Sequence, residues 1–135
     1  MTGLPATTAD DEGLRIMIHV MLVDDHTSFR QPLAFVMERE PDLTVVAQAG
    51  SLEAARSVLK DFDVAVVDLG LPDGQGVDLI RDLRAAHPNC VVLILTGSSD
   101  PKEYAQAIAA GAAEVVRKSA GIREIIERVR RLVCG

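Results

Sequence analysis

Aromatic residues make up only 3% of the 135-residue sequence, with no Trp, one Tyr and three Phe, so any core has to be built from Val, Leu, Ile and Ala. Cysteine is as scarce. Cys90 and Cys134 stand far apart and form no CxxC pair, and two thiols do not make a disulfide framework. Cys90 opens an apolar run and reads as a small buried hydrophobe. No apolar run reaches the roughly 18 residues of a membrane-crossing helix, and the N-terminus lacks the basic flank and apolar stretch of a signal peptide. A soluble, reducing, cytoplasmic setting is therefore expected. Positive charge is in deficit too: 14 Lys and Arg face 20 Asp and Glu, for a net charge of −6. That balance argues against a direct grip on nucleic acid phosphates and offers little attraction to an anionic membrane.

What is present suits one packed domain. The hydrophobic fraction is 48%, ample for a core at this length. Residues 1–13 mix small, polar and acidic side chains without periodicity and read as a flexible leader, with one domain over 14–135. Short apolar runs rich in Val and Ile recur at Ile16–Val23, Leu43–Ala49, Val64–Val67 and Val91–Leu95, with a weaker run at Ala113–Val116. Such runs predict strands buried on both faces of a parallel sheet.

Between them lie helical segments. The clearest is Ile122–Val133, where Ile122, Ile125, Ile126, Val129, Leu132 and Val133 share one face and arginines and glutamates the other. Those arginines read as a solvated face, with a dimer or kinase contact as the sharper alternative. Less regular helices fit Thr27–Glu40, Leu52–Asp61, Val77–Ala86 and Lys102–Ala110, and Ser51 is a candidate N-cap. Five strand–helix repeats imply an α/β fold: a five-stranded parallel sheet of order 2-1-3-4-5, flavodoxin-like, with helices on both faces. Such sheets bind ligands outside the carboxyl ends of their strands.

The strand ends carry a small chemical set. The first run is followed by Asp24-Asp25-His26, the third by Asp68, the fourth by Thr96 and the fifth by Lys118. Singly, each has an ordinary structural explanation as a turn, strand or surface residue. Jointly they would converge on one edge. Three carboxylates there would repel one another unless a cation compensated them, and Mg²⁺ suits carboxylate oxygens, a backbone carbonyl and retained water. A carboxylate beside a metal, an ammonium and a hydroxyl is a good acceptor for a phosphoryl group.

With these motifs the sequence resembles the response-regulator receiver family of two-component signalling. The matching stretches are Asp24-Asp25-His26, Asp68-Leu69-Gly70-Leu71-Pro72-Asp73-Gly74, Leu95-Thr96-Gly97 and Arg117-Lys118. The Asp-Asp-His opening, with Arg30 and Leu33 after it, looks most like the NarL/LuxR-type subgroup. The resemblance implies that Asp68 accepts a phosphoryl group from a sensor histidine kinase, while Asp24, Asp25, Asp68 and the Gly70 carbonyl hold Mg²⁺. Thr96 would hydrogen-bond the phosphoryl group and Lys118 would pair with it. It also implies a signalling switch rather than an enzyme, a homodimer on activation, and DNA contact only through a LuxR-type output domain outside these 135 residues. A phosphorylation-independent pseudo-receiver or a stand-alone interaction module is the alternative.

Three departures from the family pattern stand out. Val115 replaces the usual aromatic three residues before the lysine, Ser119-Ala120 follows that lysine, and Pro32 falls inside the first helix, where a kink or late start is expected. The resemblance implies that the positions of Gly70 and Ser98 tune phosphoryl lifetime, and both residues are small. Water should reach an acyl phosphate easily, and loss after loading with a small phosphodonor should be moderate; a lifetime of many hours would contradict this. His19 and His87 are expected to be structural or solvated; for His26, which opens the first helix beside the acidic pair, a part in shaping the site is the sharper alternative to an ordinary structural role. The Gly74-Gln75-Gly76 stretch lacks the dinucleotide-binding pattern and reads as a flexible loop beside Asp68.

Overall fold

The computed structural model describes residues 17–58 and 60–134, so the expected leader over 1–13 lies outside the described residues. The main strands are β1 (Ile18–Val23), β2 (Leu43–Ala49), β3 (Val64–Asp68), β6 (Val91–Thr96) and β7 (Glu114–Arg117). They form one sheet of order β2-β1-β3-β6-β7, with every neighbouring pair parallel. Counting only these five strands, the order is 2-1-3-4-5, as expected from the alternation. The remaining two, β4 (Gly70–Leu71) and β5 (Gly74–Gln75), make a short antiparallel ribbon. The helices are α1 (Thr27–Glu38), α2 (Leu52–Arg56), α3 (Gly76–Ala86), α4 (Pro101–Ala110) and α5 (Ile122–Cys134).

The period of two along each strand divides the core in two. Met21, Val23, Ala65, Val67, Val92 and Ile94 face α2, α3 and α4, meeting Leu52, Leu79, Ile80, Leu83 and Ala107. Val20, Leu22, Val64, Val66, Leu93 and Leu95 face α1 and α5, meeting Leu33, Met37, Ile125, Ile126 and Val129. Cys90 is buried in the first of these layers, as its apolar setting suggested. A sheet covered on both faces leaves its strand ends as the place where functional groups meet solvent.

Three elements differ from the sequence reading. First, α2 stops at Arg56 instead of running to Asp61. The Ser57 hydroxyl bonds back to the Glu53 carbonyl and its N–H is shared between Glu53 and Ala54, which tightens and ends the helix. Second, α1 neither starts late nor breaks: it begins at Thr27 and passes through Pro32. The ring removes the bond that the Ser28 carbonyl would accept, but both residues are exposed, so water can serve that carbonyl. Third, the Gly74-Gln75-Gly76 stretch is ordered, forming β5 and the first residue of α3. The Ser51 hydroxyl caps α2 by accepting the Ala54 N–H, as expected.

The basic face of α5 is largely used inside the domain. Arg130 takes Asp42 in a two-pronged grip at 2.8 and 2.9 Å and also pairs with Glu40 and Glu127. Arg128 bridges Glu114 and Glu124. These contacts tie α5 to the α1–β2 connection and to β7.

Candidate phosphoryl-acceptor site

Asp24 follows β1 and is buried. Its N–H donates to the Ala49 carbonyl at 2.9 Å, and the Arg30 guanidinium donates to the Asp24 carbonyl, so β2 and α1 together hold this residue. One carboxylate oxygen accepts the His26 backbone N–H at 2.9 Å, a side-chain turn that lifts the chain into α1 and leaves Asp25 exposed. Asp68 ends β3, opposite Leu95, and Thr96 ends β6; both are buried. Lys118 opens a single 3-10 turn directly after β7, whose Arg117 stands in register with Thr96.

These side chains meet. The Lys118 ammonium lies 2.8 Å from Asp24 Oδ2 and 3.5 Å from Asp68 Oδ2, and 5.0 Å above the Phe29 ring. The His26 Nδ1 stands 3.0, 3.3 and 3.6 Å from carboxylate oxygens of Asp24, Asp25 and Asp68. Burial pushes the Asp68 carboxyl up to about 6, and the charge of Asp24 adds to this against the pull of Lys118. Asp24 is held below the usual carboxylate range: burial opposes this, but Lys118 and the His26 N–H outweigh it. One carboxylate of the pair thus carries the charge while the other is held back. Despite the nearby ammonium, the buried Oδ2 atoms of Asp24 and Asp68 have no hydrogen bond of acceptable geometry.

Asp68, Gly70, Thr96, Ser98 and Lys118 line one open cleft, together with His26. The Thr96 hydroxyl accepts the Ser98 N–H at 3.0 Å. Every residue singled out at the strand ends is therefore in or beside this cleft. His19 and His87 are elsewhere: His19 pairs with Asp63 at 3.2 Å, and the His87 ring packs at a tilt against Phe62 with centroids 4.5 Å apart.

Several contributing residues carried no local signal. Phe29 supports Lys118 from the far side. Asp73, in the turn between β4 and β5, accepts the N–H groups of Leu52 and Glu53 at 2.8 and 3.1 Å, fastening the ribbon that bears Gly70 to α2. Gly76 packs under Asp68. A Cβ there would stand 2.5 Å from the Asp68 carbonyl oxygen and 3.2 Å from Leu69 Cα, both rigid backbone. Gly76→Ala is expected to lower stability by about 1–3 kcal/mol in urea denaturation. An unchanged midpoint would mean that the β3–α3 junction opens freely.

The family model for the response regulator receiver domain matches residues 20–130. The chain belongs to that family. Among curated relatives, it is 38% identical over 121 residues to the DNA-binding transcriptional activator DevR/DosR of Mycobacterium tuberculosis, covering 88% of this chain and 56% of that protein. A protein-glutamate methylesterase/protein-glutamine glutaminase of Nitrosospira multiformis is 35% identical over 111 residues, 78% of this chain but only 31% of its own. This chain spans about half or less of the length of these relatives. Among solved structures, a LuxR-family response regulator from Aurantimonas is 30% identical with a TM-score of 0.81, covering 88% of this chain and 86% of that one. The receiver domain of the putative response regulator NarL from M. tuberculosis has a TM-score of 0.82 at 26% identity, covering 89% and 98%. Among the described residues, no helix is long and apolar enough to cross a membrane.

Proposed function

We propose that this receiver domain is a phosphorylation switch in which Asp68 takes a phosphoryl group from the phosphohistidine of a sensor histidine kinase. The observation that carries this reading is the convergence of Asp24, Asp68, Thr96 and Lys118 at the edge of one cleft. An Asp68 carboxylate oxygen forms the new O–P bond while the P–N bond to the kinase imidazole breaks and the imidazole leaves with its electron pair. Lys118 stands close enough to Asp68 to neutralise charge on the transferred group, and the Thr96 hydroxyl, with a hydrogen to give, can donate to one of its oxygens.

The donor set fits a hard divalent cation. Asp24, Asp25, His26 and Asp68 offer ligand atoms within 4.8 Å of one another, and the buried Oδ2 of Asp68 accepts no hydrogen bond. Asp24, Asp25, Asp68 and the Gly70 carbonyl are the residues assigned to Mg²⁺, which supplies positive charge to the equatorial phosphoryl oxygens when bound. The imidazole of His26 stands among the same carboxylates and competes for that position.

On this reading the domain is cytoplasmic, is not itself an enzyme, and dimerises on activation. Phosphorylation shifts a two-state equilibrium and changes the surface offered to an output, of which a LuxR-type DNA-binding domain is the favoured kind. The receiver domain of NtrC4 forms a beryllofluoride-activated dimer in solution, which supports the dimer assignment. Phosphate-affinity electrophoresis after incubation with acetyl phosphate and Mg²⁺ tests the reading, comparing wild type with Asp68→Ala. A retarded wild-type band, absent from the variant, is expected. No retarded species would favour a phosphorylation-independent interaction module.

A further inference from the structure

Val115 stands in register with Ile94 and is half-buried against the core, so the position where the family pattern carries an aromatic holds no ring. A ring does reach the same loop from another element. Tyr104, on α4, donates its hydroxyl to the Ser98 carbonyl at 2.9 Å. The N–H of the same Ser98 donates to Thr96 Oγ1 at 3.0 Å. Two hydrogen bonds through one residue therefore join the hydroxyl at the acceptor site to the phenol on α4. The other end of the loop is tied down as well: the Ser98 hydroxyl accepts the Asp100 N–H, and the Asp100 carboxylate caps Lys102. Gly97, between Thr96 and Ser98, is exposed and has nothing within 4 Å of where a Cβ would stand, so the loop has room to turn there.

A threonine hydroxyl has one hydrogen to give and two lone pairs to accept. Thr96 can keep the Ser98 N–H while donating to a phosphoryl oxygen, so turning Thr96 toward Asp68 drags Ser98 with it. The Ser98 carbonyl then leaves the fixed phenol. We propose that Tyr104 is a positioning residue that holds Ser98, and through it Thr96, in the unphosphorylated arrangement, and that its hydroxyl is released when Asp68 carries the phosphoryl group. This assigns to α4 the read-out that Val115 cannot provide, and it rests on the phosphoryl-acceptor reading above.

Tyr104 is the single tyrosine of a chain without tryptophan, so intrinsic fluorescence reports on it alone. The full chain is treated with Mg²⁺ and acetyl phosphate, and tyrosine emission is followed alongside phosphate-affinity electrophoresis. A retarded band with a change in emission, both lost in Asp68→Asn, is the expected result. A retarded band with unchanged emission overturns the role of Tyr104 and leaves phosphoryl acceptance standing. No retarded band removes the phosphoryl reading and this inference together. Hydrogen exchange of the amides over residues 97–100 in Tyr104→Phe separates positioning from mere stability. Exchange in that loop should be fast before phosphorylation and gain little after it. A merely structural phenol would leave the phosphorylation-induced change in exchange intact, and that result contradicts the proposal.

Discussion

Lys118→Met is expected to cost about 3 kcal/mol of stability in EDTA at a pH well above 6, the scale for removing one partner of a buried ion pair. The ammonium serves both buried carboxylates, at 2.8 Å from Asp24 and 3.5 Å from Asp68. Methionine keeps the apolar stem over Phe29 but leaves two negative charges facing each other in a low-dielectric edge. Protons can relieve that conflict. Asp68 already sits at about 6 with Lys118 pulling it down, so without the lysine its carboxyl rises further. The folded protein then binds a proton that the unfolded chain releases, and stability falls as pH rises through that higher value. Urea denaturation should therefore show a large deficit well above pH 6 and a small one below it, with Mg²⁺ restoring part of the loss. A deficit that is the same at both pH values and indifferent to Mg²⁺ would mean that the lysine contributes through packing alone. Phosphoryl uptake should also slow by roughly 10-fold or more, since the charge on the transferred group loses one counter-charge.

Asp68→Asn has the opposite effect on stability and the larger one on function. Phosphoryl acceptance should vanish, because the amide offers no nucleophilic oxygen. Stability in EDTA should rise. The wild-type carboxyl moves from 3.8 unfolded to about 6 folded, roughly two units, so its linkage amounts to about 3 kcal/mol. The sign follows from the direction: the contribution is fully present below about pH 4 and is lost as pH climbs through about 6. At neutral pH the wild type has lost it, whereas the neutral amide does not titrate. A gain of about 1–3 kcal/mol is expected, near the lower end if the amide pairs poorly with Lys118, and it should be visible as a Tm increase of several degrees. The gain should shrink as pH drops toward 4. Mg²⁺ should stabilise the wild type and do little for the variant. A variant less stable than wild type at every pH would show that Asp68 is not under electrostatic strain.

Much of the fold was legible because strands buried on both faces announce themselves as unbroken runs of Val, Ile and Leu, and β3 is buried at every residue. The α5 pattern was as plain, with Ile125, Ile126 and Val129 all buried. The convergence of the strand-end residues followed from the same source. Once the strands were placed, Asp24, Asp68, Thr96 and Lys118 fell at their ends, and the topology did the rest. What stayed hidden depends on contacts between distant segments. The early end of α2 is decided by one serine bonding back to Glu53, which periodicity cannot show. Pro32 looked disruptive in sequence, yet it lies on a water-facing side where a lost bond is tolerated. The need for glycine at 76 exists only because the Asp68 carbonyl passes over it. Arg128 and Arg130 read as a free basic face until the α1–β2 connection supplied Glu40 and Asp42, and β7 supplied Glu114.

The central claim is that Asp68, among the neighbouring carboxylates, is where the phosphoryl group goes. Chemical trapping tests it most directly. The protein is loaded with acetyl phosphate and Mg²⁺, the acyl phosphate is reduced with borohydride, and peptides are mapped by mass spectrometry for aspartate converted to homoserine. Conversion at position 68 alone, dependent on both the phosphodonor and Mg²⁺, is the result this account predicts. Conversion at Asp24 or Asp25 instead, or no conversion at any aspartate, would contradict it.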